Sequence, residues 1–529
     1  MFEGSWRSSA WSELDRQWDA VVIGGGITGA GVFRLAVQLS LKTLLVEARD
    51  FSFGTSSRSS KLVHGGFRYL YNRQYGVTYK SVREREYLLK EAPNLVEPLP
   101  FTIPNYREYD FPSWLLHAGA IIYDLMGSKW DHQKLDPDEV LSKFNGLKEK
   151  NLIKGFRYKD AVLDDSRLVL RVIQEAIDRG GLALNYTKAD RLLRTGDGKV
   201  HGVQVSDQSG EIGKTAEVKA QVVINATGPW TDSLRSGLEV PKRMRKLRGS
   251  HLIFDHQRFP ASEALTLFHP DDGRAMFVIP WEGMTMVGTT DIDHDARLEK
   301  QYDEPFCSQD EIAYVLKAVN FLFPELEISG KDIVSTFSGL RPIISGGAAS
   351  PSKESRAHEV WNEHGLITIT GGKLTTFRLM ALQTIREALR TAGIEKRAAH
   401  GLPMIDSIDI ARPDDVEKEI FDYLSGRYGR RTGLLLQNAG QGEFEKINGL
   451  PNIWAEIRHA AGSEAVLHLD YLLLRRVRIG LLLPEGGKEW LPQIRAVAQP
   501  ELGWSDTRWD AEEKAYLQTW QTYYSPWPG

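Results

Sequence analysis

Cysteine is almost missing from this chain: Cys307 stands alone among 529 residues. A single thiol cannot build an internal disulfide framework or a CxxC metal or redox motif, which fits a reducing compartment. A dominant charge is missing too. The formal net charge of −4 gives no whole-chain attraction to nucleic acid. Long apolar runs are scarce, because the stretches around 114–126 and 472–483 are interrupted by His117 or by Arg475, Arg476 and Arg478. Neither is long enough to span a bilayer. Residues 1–20 carry no continuous apolar core and no small-residue cleavage site, so no secretory signal is expected. No internal repeat or low-complexity tract appears. What is present is the composition of an ordinary globular protein, 42% apolar and 26% charged, at a length that predicts two or three domains.

The segment DAVVIGGGITGAGVFRLAVQLSLKTLLVEARD predicts a buried strand over 19–23, a helix over 27–40 and a second strand over 43–46. Between strand and helix stand Gly24, Gly26 and Gly29 in GxGxxG spacing. The first permits the tight turn, the second lets backbone approach a pyrophosphate, and the third lets helix and strand pack closely. The pyrophosphate would rest on free amides at the positive end of the helix. Glu47, eighteen residues beyond Gly29, ends the second strand and can accept hydrogen bonds from a ribose diol. GxGxxG alone is a weak signal that a glycine-rich turn in an unrelated α/β protein can match. Strand, turn, helix, strand and acid in register make it a dinucleotide site.

Two further glycine-bearing strand ends follow, VVINATGPW over 222–230 and LITITGGKLTTFR over 366–378, the latter opening a helix near Leu374. Contacts spread over roughly 350 residues suit a long cofactor held along its length, which favours FAD over NAD. A hydroxyl-rich stretch, GTSSRSSKLVHGGFRYLYN over 54–72, then needs explaining. Most such runs are solvated loops, but this one ends in an alternating, partly aromatic segment that reads as packed.

The motifs GGGITGAG with Glu47, TSSRSSKLVHGGFRYL, VLDDSRL, INATGPW, RGSHLIF, FVIPW, VGTTD, FSGLRP and TGGKLTTFR occur in that order. They resemble the FAD-dependent glycerol-3-phosphate dehydrogenases and the related glycerophosphate oxidases, within the wider D-amino-acid-oxidase-like group. The resemblance covers roughly residues 15–395, and the remaining C-terminal part is similar to that family's helical domain. It implies an α/β fold: a Rossmann-like FAD-binding domain over 17–75, 150–235 and 336–395, an antiparallel-sheet substrate domain over 76–149 and 236–335, and a C-terminal helical domain over 400–529. Non-covalent FAD would be held by Gly24, Gly26, Ile27, Thr28, Gly29, Glu47, Ala48, Thr55, Ser56, Ser57, Lys61, Leu62, His64, Gly65 and Gly66. Ala189, Ala226, Thr227, Gly228, Trp230, Gly339, Arg341, Gly372, Lys373, Leu374, Thr375 and Thr376 would complete the FAD site.

The implied substrate is glycerol 3-phosphate, a dianion whose burial demands fixed cations. Arg68, Arg341, Arg356 and Lys373 are the candidates, with Tyr69 beside them; for any lone arginine the plain alternative is a surface ion pair. Hydride transfer from C2 to flavin N5 needs loss of the hydroxyl proton, and His251 is nominated as base or orienting residue, with Arg341 and Lys373 as catalytic partners. His64 is a second candidate base. The cluster DIDHDAR over 291–297 lacks the glycine and terminal glutamate of a calcium loop and reads as a surface turn; no metal is expected.

Beyond residue 400 a helix is predicted from Pro413 to a stop at Gly426, with others over 464–483 and 511–524. The electron acceptor is either a quinone, as in the dehydrogenases, or oxygen, as in the oxidases. Trp6, Trp11 and Trp18, together with Arg427, Arg430, Arg431 and the 475–478 cluster, are candidates for peripheral contact with an anionic bilayer at the inner face of the cell membrane; core tryptophans and solvated arginines are the plain alternative. A homodimer is an open expectation. The rival readings are an FAD amine or amino-acid oxidase, whose pocket would hold a carboxylate with one arginine, and a flavin-stabilised binding scaffold.

Overall fold

The computed structural model describes residues 6–66, 75–108, 113–127, 130–345, 357–399 and 401–527. The continuous apolar run before the glycine turn becomes the strand Trp18–Ile23, buried on both faces as parallel strands are. It pairs in parallel with Thr43–Val46 on one side and Thr215–Asn225 on the other. Leu182–Leu184 and Leu366–Gly371 extend this parallel array, and His358–Glu363 closes one edge antiparallel. The helix Ile27–Gln38 packs against this sheet, flanked by Asp165–Ile177 and Phe377–Ala392. Val22, Phe33, Leu45, Ile224 and Ile385 meet in the resulting core.

Among the described residues a second, ten-stranded sheet stands opposite. Its long antiparallel pairs are Val96–Tyr106 with Leu152–Leu163, and Met244–Asp255 between Met284–Gly288 and Ile333–Ile344. Leu62–Val63 joins this sheet through Leu62 and Val162, so the hydroxyl-rich stretch bridges the two sheets. The segments 152–163 and 333–344 therefore lie in the second sheet, whereas the proposed division at 150 and 336 places most of each with the first.

The C-terminal part is helical with different breaks. Lys418–Tyr428 continues through Gly426 and stops at Gly429, which has φ +59°. Gly426 serves close packing instead, since a Cβ there would overlap the backbone of Asn94. The single helix expected over 464–483 is broken into Leu469–Tyr471, a π turn Leu472–Arg476 and Ile479–Leu482. Its arginines explain the break. Arg475 pairs with Glu304, Arg476 with Asp50 and Arg478 with Asp165, all buried, and no single straight helix face would aim all three. They are thus not a membrane-facing patch. Arg427 is likewise buried against Glu282 and Asp164, and Trp11 and Trp18 belong to the core. No helix among the described residues is long and apolar enough to cross a membrane.

Candidate active site

A cleft of about 2140 Å³ runs between the two sheets, far larger than the roughly 300–1,000 Å³ of an ordinary small-molecule pocket. One end is the glycine turn. Gly24 takes φ +111°, and a Cβ there would stand 2.5 Å from the Ala226 carbonyl oxygen; a Cβ on Gly29 would overlap the Gly24 oxygen. Strand, turn and helix close up only because neither residue has a side chain. Glu47 accepts from the Gly25 amide at 2.7 Å and the Arg49 amide at 2.9 Å. Burial raises its proton affinity, and these two donors act against that. Ser56 Oγ accepts from the Ile27 amide at 2.9 Å, tying the hydroxyl-rich stretch to the helix start. The Ala226–Gly228 strand end sits beside it, with the Ala226 amide donating to Ile23 at 2.9 Å. The third strand end turns through Gly371 and Gly372, at φ +77° and +71°, into Leu374–Thr376 and the long helix behind. An elongated cleft lined by three such backbone turns, with a glycine cradle that any Cβ would fill, fits FAD.

The cleft wall contains Gly24, Gly26, Ile27, Thr28, Glu47, Ala48, Thr55, Ser56, Leu62, His64, Gly66, Ala189 and the 226–228 turn with Trp230. His251, Gly339, Arg341, Gly372, Lys373, Leu374 and Thr375 line it as well. Gly29, Ser57, Lys61, Gly65 and Thr376 do not line it and stand behind the wall. The Lys61 ammonium, pulled down to about 7 by burial ahead of the nearby Arg478, points to Asp165 at 2.8 Å. The Gly65 amide donates to the Tyr123 hydroxyl at 2.7 Å. Arg68, Tyr69 and Arg356 lie outside the described residues.

Arg341 is fixed on three sides. Nη1 donates to the Thr290 carbonyl and to Asp291 Oδ1, both at 3.0 Å, and Nη2 donates to Thr289 Oγ1 at 2.8 Å. Asp291 also pairs with Arg274 Nη1 at 3.2 Å, and its side chain is 3% exposed. The DIDHDAR cluster is therefore a surface turn only in part: Asp293 and Asp295 pair with Arg245 and Arg297, while Asp291 faces inward between two cations. Arg274 shares the cleft with Arg341 and Lys373, whose Nζ stands 3.1 Å from Ser81 Oγ. Nothing near DDGRAMF marked Arg274 in advance, because its partner Asp291 lies on a different turn.

His251 stacks on Phe337 with ring centroids 4.7 Å apart, and its Nε2 meets Ser60 Oγ at 2.9 Å. Burial, then the charges of Arg341 and Lys61, hold its proton affinity well below the usual histidine range. His64 is driven down to about 3 by burial and then by Lys373 and Arg85. Both imidazoles are neutral at pH 7, the state a proton acceptor requires. Gly288 makes room for His251 from the neighbouring strand, since a Cβ there would overlap the ring.

Residues 19–378 match the family described as FAD dependent oxidoreductase, and residues 369–509 match the C-terminal domain of alpha-glycerophosphate oxidase. The aerobic glycerol-3-phosphate dehydrogenase of Staphylococcus epidermidis is 34% identical over 491 residues, covering 87% of each chain. That of Staphylococcus aureus is 32% identical over 487 residues, covering 87% of this chain and 86% of the relative. The glycerol-3-phosphate dehydrogenase from Bacillus halodurans, solved with FAD, aligns at a TM-score of 0.77 and 27% identity over 100% of this chain and 99% of its own. The L-alpha-glycerophosphate oxidase from Mycoplasma pneumoniae, at 17% identity and a TM-score of 0.58, shares the fold over 75% of this chain and 100% of its own.

Proposed function

The chain belongs to the FAD-dependent oxidoreductases, in the family of the aerobic glycerol-3-phosphate dehydrogenases, and we propose that it oxidises sn-glycerol 3-phosphate to dihydroxyacetone phosphate and passes the electrons to a quinone. The observation that carries this reading is a single cleft in which a glycine-built dinucleotide cradle shares its walls with Arg341, Arg274, Lys373 and the neutral His251. When bound, FAD supplies a two-electron acceptor for the hydride of C2. Gly24, Gly26 and the start of Ile27–Gln38 would hold its pyrophosphate, Glu47 its ribose, and the 372–375 turn its ring edge.

The protein's own residues divide the remaining work. Arg341, pinned by Thr289, Thr290 and Asp291, presents a guanidinium of fixed plane, which suits a phosphate better than a mobile charge. Arg274 and Lys373 add the second and third cations that a dianion needs. A carboxylate substrate would need only one, so this set supports a phosphate over an amino acid. His251 takes the C2 hydroxyl proton by way of Ser60, whose hydroxyl lies on Nε2 at 2.9 Å and lines the cleft: Ser60 Oγ receives the substrate proton as it passes its own to Nε2.

An exposed apolar rim supports the quinone. The helix Ser113–Met126 leaves Leu125 70% exposed, Trp130 just beyond it is 63% exposed, and Tyr75 and Tyr79 on the contacting helix Tyr75–Glu91 are just over half exposed. Ile122 and Tyr75 also line the cleft, so its mouth and the apolar rim are continuous. That arrangement suits peripheral contact at the inner face of a membrane carrying the acceptor. Turnover of glycerol 3-phosphate against a panel of amino acids, with a soluble quinone and with oxygen alone, tests both halves. Amino-acid turnover would overturn the substrate, and stoichiometric hydrogen peroxide without quinone reduction would overturn the acceptor.

A further inference from the structure

A buried charge cluster behind the cleft ties the C-terminal helices to the cleft wall. Asp165 opens the helix Asp165–Ile177 and is fully buried. Its Oδ2 accepts from the Ser59 amide at 2.9 Å and the Ser59 hydroxyl at 2.7 Å, and its Oδ1 accepts from Lys61 Nζ at 2.8 Å and Arg478 Nη2 at 3.1 Å. The same two cations converge on the Ser57 carbonyl, Lys61 at 2.6 Å and Arg478 at 2.8 Å. Residues 57, 59 and 61 are thus each bound into the cluster. Ser60 between them lines the cleft, with its hydroxyl on His251 Nε2.

Arg478 comes from far along the chain and holds an unusual backbone. It sits between the π turn and Ile479–Leu482 at φ +64°, a region that residues other than glycine seldom enter. Such a conformation persists where the surroundings over-determine it. Here the guanidinium does so, donating to Leu474, Ser57 and Asp165 together.

We propose that Arg478 is a positioning residue for the oxidation: by holding the Ser57 carbonyl and the Asp165 carboxylate together it sets the 59–61 turn, and that turn presents Ser60 to orient the His251 ring. This rests on the reading above that His251 receives the hydroxyl proton. The glycine cradle and the phosphate cations are held by their own contacts rather than by those of Arg478. Its loss therefore lowers kcat and leaves KM largely alone, because misplacing a reacting group by about 1 Å can cost on the order of a hundredfold.

The test compares wild-type holoenzyme with Arg478→Gln, Arg478→Lys, Ser60→Ala and both Arg478 changes in the Ser60→Ala background. The readouts are flavin content by absorbance, melting temperature, kcat and KM for glycerol 3-phosphate. Arg478→Gln is expected to keep its flavin, to lose about tenfold or more in kcat and to hold KM within about twofold. Arg478→Lys keeps the charge without the two-pronged reach and is expected to lose about threefold. In the Ser60→Ala background neither change lowers kcat further, because both act through one hydroxyl. If Arg478→Gln does not fold, the lysine variant carries the same comparison. Wild-type kcat in either Arg478 variant, or a loss that persists in full without the Ser60 hydroxyl, overturns the proposal. A wild-type protein that fails to oxidise glycerol 3-phosphate would instead sink the functional reading itself.

Discussion

Arg341 and Gly249 occupy adjoining strands, and the guanidinium of one lies where the other would carry a side chain. A Cβ on Gly249 would overlap both terminal nitrogens and the central carbon of Arg341. The glycine of RGSHLIF therefore sets the position of the arginine of FSGLRP. Gly249→Ala is expected to push the guanidinium away from Thr289 and Asp291, lowering kcat/KM for glycerol 3-phosphate by about a hundredfold. Bound flavin should be unchanged, which steady-state kinetics beside an absorbance spectrum will show.

His251 makes a different demand. Burial and two nearby cations favour its neutral form, so its proton affinity in the folded protein lies well below 6.5. A base is active when unprotonated. Lowering the pH from 8 to 6.5 should therefore leave kcat/KM level, whereas a base of ordinary affinity would lose about half its active form at pH 6.5. His251→Gln should slow flavin reduction by about a hundredfold or more at every pH in that range. Rapid-mixing absorbance measures both.

Several parts of this site can be read along the chain and others cannot. Gly24, Gly26, Gly29 and Glu47 are legible because the turn, helix start and acid belong to one local βαβ unit. Arg341 is legible because it follows Gly339 closely in a β-pattern, and Lys373 because it adjoins the glycine pair at a strand end. Arg274, Asp291 and Ser60 escape notice because their roles arise only from pairing across separate turns. Gly249 and Gly288 look like ordinary strand glycines until a side chain from the next strand fills the space above each. The 475–478 arginines look like a solvated stripe, since nothing local reveals that Asp50, Asp165 and Glu304 wait inside. Fold class is open to local patterns; the place of 152–163 and 333–344 in the second sheet is not.

His459 gives a stability test separate from catalysis. It is buried edge-on to Tyr428, and burial drives its proton affinity down to about 4. An unfolded histidine binds its proton near 6.5, so the unfolded chain takes up more protons between pH 6.5 and 4. The stability that depends on a neutral His459 is complete above pH 6.5 and lost progressively as pH falls through that window. His459→Leu should remove this dependence: between pH 7 and pH 5 the variant should gain about 2 kcal/mol relative to wild type in denaturant unfolding.

The apolar rim can be tested apart from the chemistry. Leu125→Glu combined with Trp130→Glu places two charges on side chains that are 70% and 63% exposed. Folding and reduction by glycerol 3-phosphate should be unaffected. Sedimentation with anionic vesicles should fall about tenfold, each charge opposing both insertion and the negative surface. Unchanged sedimentation would remove the rim as a membrane contact.

The most direct measurement of the central claim is an anaerobic titration of the purified holoprotein with sn-glycerol 3-phosphate, following the flavin absorbance. A cleft that joins the flavin site to a phosphate-binding set of cations and a neutral histidine predicts bleaching, with dihydroxyacetone phosphate formed one for one with reduced flavin. A fully loaded flavin that keeps its oxidised spectrum under excess substrate would contradict the account.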